Sequence, residues 1–304
     1  MGMGGPGVSI QGRERITVRN GTIAGWARGI AIRDSNDLRV QDLAIQDCRQ
    51  EGLAVDSSSR LCLEGVTCTG NMHGMAFSGV RAIRATDCRA NENRDIGVQY
   101  TGCEDGLFSR MVARSNGTDG VDIEACHDLH IQGLQALENK DDGIDIRETT
   151  FASLSDSTSD NGGPSLELEG GSDVTVRDCQ YADGSPSESL IGFNVVRRCS
   201  SLRVRVVDDN EDPVYGARVE IFDTRQAVAG QSGQADLVCA LNTDFQGCLP
   251  ALDLLWYTRV GILRTQSGPY RVRVSHRGFQ DVEWVYDAHA PAQQTFALAP
   301  WPAG

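Results

Sequence analysis

The chain has 304 residues, of which 40% are hydrophobic and 23% charged, and this length can bury one large or two ordinary domains. Acidic residues number 42 against 28 basic ones, and the net charge of −14 argues against nucleic acid or an anionic membrane as partner. The 34 glycines and an aromatic content of 6% favour turn-rich β architecture over a helical bundle. No apolar run approaches the ~18 residues of a membrane span, so none is expected.

A repeat of 22 or 23 residues organises the first two thirds of the chain. In each unit, a small residue precedes two apolar residues that flank a single variable position. The units begin at Gly7, Gly29, Gly52, Gly74, Gly97, Gly120, Gly143 and Ser165. Each unit has room for three short strands and polar turns but not for a crossover helix. The spacing therefore predicts a parallel β-helix, with turns stacked about 4.8 Å apart.

Over residues 7–199 this repeat resembles the right-handed β-helix of the pectate lyase and polygalacturonase superfamily. Residues 19–26, followed by Gly29-Ile30, also resemble the early coils of that superfamily. We therefore predict an all-β chain whose first domain, residues 1–200, is a right-handed parallel β-helix of about eight coils. The sequence before Gly7 is too short to cap this domain, so we expect it to be N-terminally truncated or uncapped.

Alternation of side chains assigns the outward positions of the first strand in each coil. One predicted outward column consists of Ser9, Ala31, Ala54, Ala76, Gln99, Asp122, Asp145 and Glu167. A second column, two residues further on, consists of Arg33, Asp56, Ser78, Thr101, Glu124, Arg147 and Glu169. Four residues before the start of four units stand Asn93, Asn116, Asn139 and Asn161, a spacing that predicts a stacked amide ladder.

Most of the negative charge lies in one segment of the repeat. Residues 116–169 contain 13 acidic and two basic residues, whereas residues 1–115 contain 13 acidic and 14 basic ones. Carboxylates at this density repel one another unless a cation, shared protons or wide solvation offsets the repulsion. The acidic segment is therefore the candidate functional region.

A second domain is predicted over residues 201–304. Short alternating segments at hairpin spacing, such as residues 202–207 and 270–274, predict an antiparallel β-sandwich. The pattern beginning at Pro213 and the later Gly278-Phe279 resemble the carboxypeptidase-regulatory-like (transthyretin-like) module. That resemblance implies a non-catalytic domain that serves adhesion, spacing or docking.

The ten cysteines include no closely spaced metal-binding pair. Cys103 and Cys126 fall at the same position of adjacent coils, where they form a disulfide or simply fill the interior. Cys239 and Cys248 make a plausible loop disulfide in the second domain. The fold, more than the cysteines, favours a secreted, periplasmic or cell-surface location.

Two short acidic motifs lie one period apart. The first spans residues 116–119 and is interrupted by Gly117; the second is Asp141-Asp142. They resemble the Asn-Thr-Asp and Asp-Asp motifs of polygalacturonases, which implies Asp119 as general acid and Asp141 and Asp142 as holders of the attacking water. Such inverting hydrolysis needs carboxyl groups ~6.5–9.5 Å apart. The Gly-His-Gly and Arg-x-Lys motifs of that family have no counterpart in this sequence.

The outward acids also suggest a cation site. Oxygen ligands for Ca²⁺ are predicted from Asp122, Asp145 and Glu167 on consecutive coils, with Glu124 nearby. Pectate-lyase-like enzymes use a similar ladder to bridge Ca²⁺ to a uronate, and that resemblance implies Arg147 as the base.

Two classes of function remain open at this point. One is a polysaccharide lyase, epimerase or hydrolase, in which Gln99 and His130 are candidate substrate-binding residues on outward positions. The other is a secreted or surface scaffold that binds glycan or Ca²⁺ without catalysis. The localised acidic segment favours the first, and the missing motifs favour the second.

Overall fold

The computed structural model describes residues 4–181, 188–225 and 235–301. All regular elements in these ranges are β-strands, which confirms the predicted all-β class. The chain divides into two compact units, residues 1–196 with 260–262 and residues 197–259 with 263–304. The outermost ends of the two predicted domains, residues 1–3 and 302–304, lie outside the described residues. No described element is a helix that could span a membrane.

The first unit is a parallel β-solenoid of about eight turns, as the repeat predicts. Its first face is a nine-stranded parallel sheet in which each strand pairs with its equivalent one turn later. The strands are Pro6–Gln11, Arg28–Arg33, Leu53–Asp56, Met75–Ser78, Val98–Thr101, Val121–Glu124, Ile144–Arg147, Leu166–Glu169 and Glu188–Ile191. Asp122 lies opposite Asp145, and Asp145 lies opposite Glu167, so the predicted columns run turn over turn.

Two further columns of parallel strands complete the turns. The second face is formed by Thr17–Ala24, Asn36–Gln46, Ser59–Glu64, Arg81–Thr86, Glu104–Ser109, His127–Gln132, Ala152–Ser155 and Asp173–Arg177. The third face continues in the last part of Asn36–Gln46 and in Thr67–Thr69, Arg89–Asn91, Val112–Arg114, Gln135–Leu137, Thr158–Asp160 and Gln180–Tyr181. Because all three faces advance by one repeat together, residues 22 or 23 apart become spatial neighbours.

The inward side chains of the first unit form one continuous apolar core. Its largest buried members include Phe77, Tyr100 and Phe108, whose rings contact one another at centroid distances of 5.0 and 4.5 Å. Burial of a large apolar side chain stabilises the fold by roughly 1.5–3 kcal/mol. The interior of the coils is thus filled, and ligand chemistry is left to the outward side chains.

The predicted asparagine ladder is present and contains a fifth member, Asn71. The full ladder is Asn71, Asn93, Asn116, Asn139 and Asn161. At a typical step, the Asn93 backbone N–H and side-chain Nδ2 both donate to Asn116 Oδ1, at 3.1 and 3.0 Å. The Asn116 side chain in turn donates to the Ala90 carbonyl at 3.0 Å. Each amide therefore satisfies buried backbone groups that the turn would otherwise leave unpaired.

Cys103 and Cys126 belong to a second ladder at another turn. The Cys103 N–H donates to Cys126 Sγ at 3.3 Å, and the Cys126 N–H donates to Thr149 Oγ1 at 3.2 Å. Ser172 Oγ accepts the Thr149 N–H in the same way one turn later. Both thiols are free and buried. Of the two alternatives, packing in the interior therefore describes these cysteines, and the thiols replace hydroxyl groups as acceptors.

The second unit contains a four-stranded antiparallel sheet. Its members, in spatial order, are Asp236–Asn242, Arg218–Asp223, Tyr270–Ser275 and Val282–Tyr286. The other strands that contribute to this unit are Val195–Asp208, Leu252–Val260, Leu263–Gln266 and Ala292–Leu298. Side chains from both groups share one apolar core, an arrangement compatible with a small β-sandwich. Val195–Asp208 and Ala292–Leu298 pair in parallel, which differs from a purely antiparallel fold.

The predicted disulfide between Cys239 and Cys248 is absent, since both thiols are free. Cys239 lies in a strand opposite Ile221, whereas Cys248 follows a turn whose N–H groups bond to the Asp244 carboxylate. Sequence spacing brought the two cysteines close along the chain but did not determine the directions of their side chains.

Candidate cation-binding site

The candidate site occupies the last turns of the first face. The strand residues Asp122, Asp145 and Glu167 lie in one column, each opposite its neighbour in the parallel register. Asp119 and Asp142 stand in the turns, each immediately before the glycine that precedes a strand. The Asp142 N–H donates to Asp119 Oδ1 at 3.1 Å, which orients the Asp119 carboxylate toward the following turn.

The carboxylates form two groups that share one member. Oxygens of Asp142, Asp145 and Glu167 lie within 4.8 Å of one another, and we call these residues the inner acidic set. Oxygens of Asp119, Asp141 and Asp142 also lie within 4.8 Å of one another, and these residues form the outer acidic set. The outer spacing is narrower than the ~6.5–9.5 Å of an inverting hydrolase. The geometry therefore fits a shared cation or shared protons better than an acid and base separated by water.

Three carboxylates of the site are buried: Asp122, Asp142 and Asp145. Alternation directs the two strand residues, Asp122 and Asp145, outward from the coil. The exposed fractions are 2% for Asp122, 5% for Asp142 and 7% for Asp145. Asp142 Oδ1 and Asp145 Oδ1 lack a hydrogen-bond partner. A solvated acidic face, one possible interpretation of the sequence, does not describe these groups. Buried anionic oxygens without donors are costly unless protons or a cation compensate them.

Arg147 supplies positive charge to the column. Its guanidinium lies 2.8 Å from Asp122 Oδ1 and 3.3 Å from Asp145 Oδ2. Gln99 Nε2 donates to the other oxygen of Asp122 at 3.2 Å. Asp122 is therefore paired on both oxygens, whereas Asp145 retains one oxygen without a donor.

The pKa of Asp142 is raised to about 8. Burial is the main cause, and the adjacent Glu167 carboxylate adds to it. Burial also raises the pKa of Asp145 to about 7, against the opposing effect of Arg147. The pKa values of Asp119 and Asp122 are raised by burial as well, with Asp141 contributing at Asp119. Near neutral pH the site therefore retains protons that a cation could displace.

The ion pairs of Arg147 with Asp122 and Asp145 disfavour its implied role as a base. Burial alone lowers the pKa of this guanidinium, but the Asp122 and Asp145 carboxylates raise it by more. A base must release its proton readily, and these neighbours act in the opposite direction. The geometry makes Arg147 a fixed positive charge that orients two carboxylates.

The expected ligand set differs from the groups that the structure brings together. Asp145 and Glu167 lie in the inner acidic set, but their third partner is the turn residue Asp142 and not Asp122. Glu124 lies opposite Arg147 in the sheet and belongs to neither set. Asp119, Asp141 and Asp142 do converge, as their spacing one coil apart predicts.

The two candidate substrate-binding residues lie in different places. Gln99 contacts Asp122 and also lines an open cavity of about 320 Å³ on the first face, whose floor includes Ala54 and Ala76. His130 lies in the second face, where its ring nitrogens approach Ser153 Oγ at 2.7 Å and Asp128 Oδ1 at 3.1 Å. The structure therefore brings Gln99 to the acidic site and leaves His130 away from it.

Gly163 is a site residue that sequence reasoning missed. A Cβ atom at this position would lie 2.5 Å from Asp142 Oδ1 and 2.9 Å from Asp141 Oδ1. Gly163 thus packs against both oxygens, and any side chain there would collide with them. The signal in the sequence was the Gly162-Gly163 pair, one repeat after Lys140-Asp141.

One solved structure that resembles this chain agrees with the solenoid. A mutant of the periplasmic alginate epimerase AlgG is 15% identical, with 56% of this chain and 48% of that chain covered and a TM-score of 0.50. The chain thus spans about half the length of that structure. The A-module of the mannuronan C-5 epimerase AlgE4 from Azotobacter vinelandii is 15% identical, with coverages of 58% and 59% and a TM-score of 0.39. No curated protein matches the chain.

The family assignment rests on the repeat itself. The sequence model of the right-handed β-helix region matches residues 2–102 and 28–181. These matches overlap and together include more than half of the chain, the same part that forms the parallel solenoid. The chain therefore belongs to the right-handed β-helix family.

Proposed function

We propose that this protein acts on an acidic polysaccharide, which it binds along the first face through Ca²⁺ held by the inner acidic set. The observation that carries the proposal is the convergence of Asp142, Asp145 and Glu167 within 4.8 Å. Two of these carboxylates are buried, and each of those two has one oxygen without a hydrogen-bond partner. A divalent cation in the inner acidic set satisfies Asp145 Oδ1 and offsets the repulsion among the three groups.

The dimensions of the inner acidic set fit Ca²⁺. This ion binds oxygens at ~2.3–2.6 Å, so ligands on opposite sides of it are about 4.8 Å apart. Ca²⁺ also accepts irregular arrangements of six to eight oxygens, whereas Mg²⁺ requires nearly ideal octahedral geometry. Three carboxylates leave coordination positions for water and for an anionic group of a ligand.

The first face offers a path for an extended chain. The cavity of about 320 Å³ lies over small residues such as Ala54 and Ala76, and Gln99 connects it to the acidic column. Arg147 orients Asp122 and Asp145 and neutralises part of the negative charge of the site. Bound Ca²⁺ would neutralise a uronate carboxylate and stabilise negative charge that develops on it.

We further propose that the protein catalyses a lyase or an epimerase reaction at a uronate residue. The close spacing of the carboxylates disfavours inverting hydrolysis, and the paired state of Arg147 disfavours it as a base. AlgG, whose name gives alginate as its polymer, has the same type of β-helix. We adopt its substrate class, a polymer of uronates, as part of this proposal.

Two further elements of the proposal concern the whole protein. The second unit is a carboxypeptidase-regulatory-like module that places or attaches the β-helix without taking part in chemistry. The protein operates outside the cytoplasm, where polysaccharides are accessible. The core shared by the strands of the second unit supports the first of these elements.

The test is calorimetric titration of chelator-treated protein with Ca²⁺, followed by assays on a panel of polyuronates. Wild type should bind Ca²⁺, gain thermal stability and retain polyuronate only with the ion present. Asp145→Asn should lose these responses, whereas Asp160→Asn, an exposed carboxylate on the third face, should keep them. Absence of Ca²⁺ binding contradicts the proposal. Binding of ion and polymer without turnover removes the enzymatic part and leaves a glycan-binding scaffold.

A further inference from the structure

We propose that the outer acidic set is a second cation centre, so that Asp142 bridges two ions. This inference rests on the proposed function, because the first ion is the Ca²⁺ assigned to the inner acidic set. Asp119 and Asp141, which resemblance assigns to hydrolysis, become ligands of the second ion. The ligand class for the new centre is a hard divalent cation, with Ca²⁺ as the occupant.

The geometry separates two centres. Each acidic set has its oxygens within 4.8 Å, but Asp119 and Asp141 do not join Asp145 and Glu167 in one group of that size. A single Ca²⁺ sphere is about 4.8 Å across between opposite ligands. One ion therefore cannot contact all five carboxylates. Asp142 belongs to both sets and can place one oxygen on each ion.

The independent observation at the outer centre is a buried oxygen of Asp142 that has no hydrogen-bond partner and lies beside Gly163. A Cβ atom built on Gly163 would stand 2.5 Å from Asp142 Oδ1 and 2.9 Å from Asp141 Oδ1. Asp142 is 5% exposed, and its Oδ1 atom has no hydrogen-bond partner. A buried oxygen without a donor and an oxygen of a second carboxylate thus both lie beside Gly163, which has no side chain to come between them.

Asp119 is oriented for the same centre. Its Oδ1 atom accepts the backbone N–H of Asp142 at 3.1 Å, which fixes the carboxylate beside the following turn. A carboxylate held by a backbone hydrogen bond loses less side-chain entropy when an ion binds. Asp119 is therefore arranged for binding before the ion arrives.

Once ionised, the carboxylates of the two acidic sets also carry more negative charge than one divalent ion offsets. The two acidic sets together contain five carboxylates: Asp119, Asp141, Asp142, Asp145 and Glu167. Arg147 already pairs with Asp122 and with one oxygen of Asp145. When all five are ionised, one Ca²⁺ leaves three of their negative charges and a second Ca²⁺ leaves one.

The two centres differ in exposure, and this difference predicts an order of filling. Asp142 and Asp145 of the inner acidic set are buried, whereas Asp141 of the outer acidic set is exposed. The inner ion should bind more tightly, because its ligands are more buried and water competes with them less for the ion. The outer ion faces solvent, so it is the one that can take a carboxylate of the polysaccharide.

The test is the stoichiometry of Ca²⁺ binding to chelator-treated full-length protein, measured by calorimetry. Wild type should give two binding events, and Asp141→Asn should weaken the second by about tenfold or more without changing the first. Glu167→Gln should weaken the first, and Asp160→Asn, an exposed carboxylate on the third face, should change neither. Gly163→Ala should also weaken the second event, because its methyl group would collide with Asp141 Oδ1 and Asp142 Oδ1 and displace these ligands.

The outcomes distinguish this inference from the function on which it rests. A single event in wild type that Asp141→Asn leaves unchanged overturns the second centre and preserves the first. Two events that both survive Asp141→Asn and Gly163→Ala also overturn it, since the second ion must then lie elsewhere. No event in wild type overturns the proposed function itself.

Discussion

The early and late turns of the first face share one backbone and differ in their outward side chains. Ala31, Ala54 and Ala76 stand in the same column as Asp122 and Asp145, in continuous parallel register. The small residues leave an open cavity, whereas the acids create a buried cluster with raised pKa values. The same backbone thus accommodates small or acidic outward residues, and the turns differ in function through substitution at the repeated positions.

Acid titration should reveal the largest difference between the two regions. Because the folded-state pKa values of Asp142 and Asp145 are about 8 and about 7, above their ordinary 3.8, the folded protein binds more protons between about pH 4 and pH 8. Metal-free protein should therefore lose stability as pH rises through this window, by at most about 1.4 kcal/mol for each group as the pH rises by one. Thermal unfolding across the range measures the loss.

Several charged groups face these two carboxylates and share in the titration. They are Asp119, Asp122, Asp141, Glu167 and Arg147. The double variant Asp142→Asn/Asp145→Asn should flatten the pH dependence, and Asp56→Asn should not. Stability that rises steadily from pH 5 to pH 8 in metal-free wild type would refute the protonated state of the cluster.

Asn116→Ala tests what the two regions have in common. It removes the acceptor of two Asn93 donors and the donor to the Ala90 carbonyl, so buried backbone groups become unpaired. The free energy of unfolding should fall by about 3 kcal/mol in urea titrations. Asn91→Ala is the matched control, because its Oδ1 atom has no partner to lose. Equal losses of stability in the two variants would contradict a stabilising role for the asparagine ladder.

Arg147→Gln tests the charge balance that only the late turns need. The variant leaves Asp122 and Asp145 without their guanidinium partner, and we expect a loss of about 2 kcal/mol near neutral pH. Arg110→Gln breaks an exposed ion pair with Asp87 and should change stability little. The loss in Arg147→Gln should shrink at pH 5, where Asp145, with a pKa of about 7, is protonated. A loss that is independent of pH would point to packing instead of charge.

Asp56→Asn should have the smallest effect. Asp56 lies in the second outward column of the early turns, and no described acidic set includes it. Its substitution should change the free energy of unfolding by less than about 0.5 kcal/mol. A marked loss of Ca²⁺ binding in this variant would extend the site into the early turns and weaken the contrast between the regions.

The fold could be predicted because the repeat fixes both the period and the direction of each strand side chain. The columns that contain Asp122, Asp145 and Glu167 follow directly from the 22- and 23-residue spacing. Burial of Asp122 and Asp145 could not be predicted, because alternation gives the direction of a side chain and not the neighbours that cover it. The amides of the Asn116 ladder were predictable, since they too repeat once per turn.

The partners within the site were less predictable because several of them lie in turns. Asp142 and Gly163 have no fixed two-residue alternation, so their directions depend on turn geometry. The ion pairs of Arg147 depend on a long side chain that reaches two neighbouring positions. The free state of Cys239 and Cys248 likewise depends on side-chain directions that spacing does not give.

The most direct test is a crystal structure of the protein grown with Tb³⁺ in place of Ca²⁺, with its anomalous signal mapped. We expect a peak within about 2.3–2.6 Å of oxygens from Asp142, Asp145 and Glu167. Asp145→Asn crystals grown in the same way should lack that peak. A wild-type map with peaks only at other acidic surfaces would contradict a cation-binding role for the cluster.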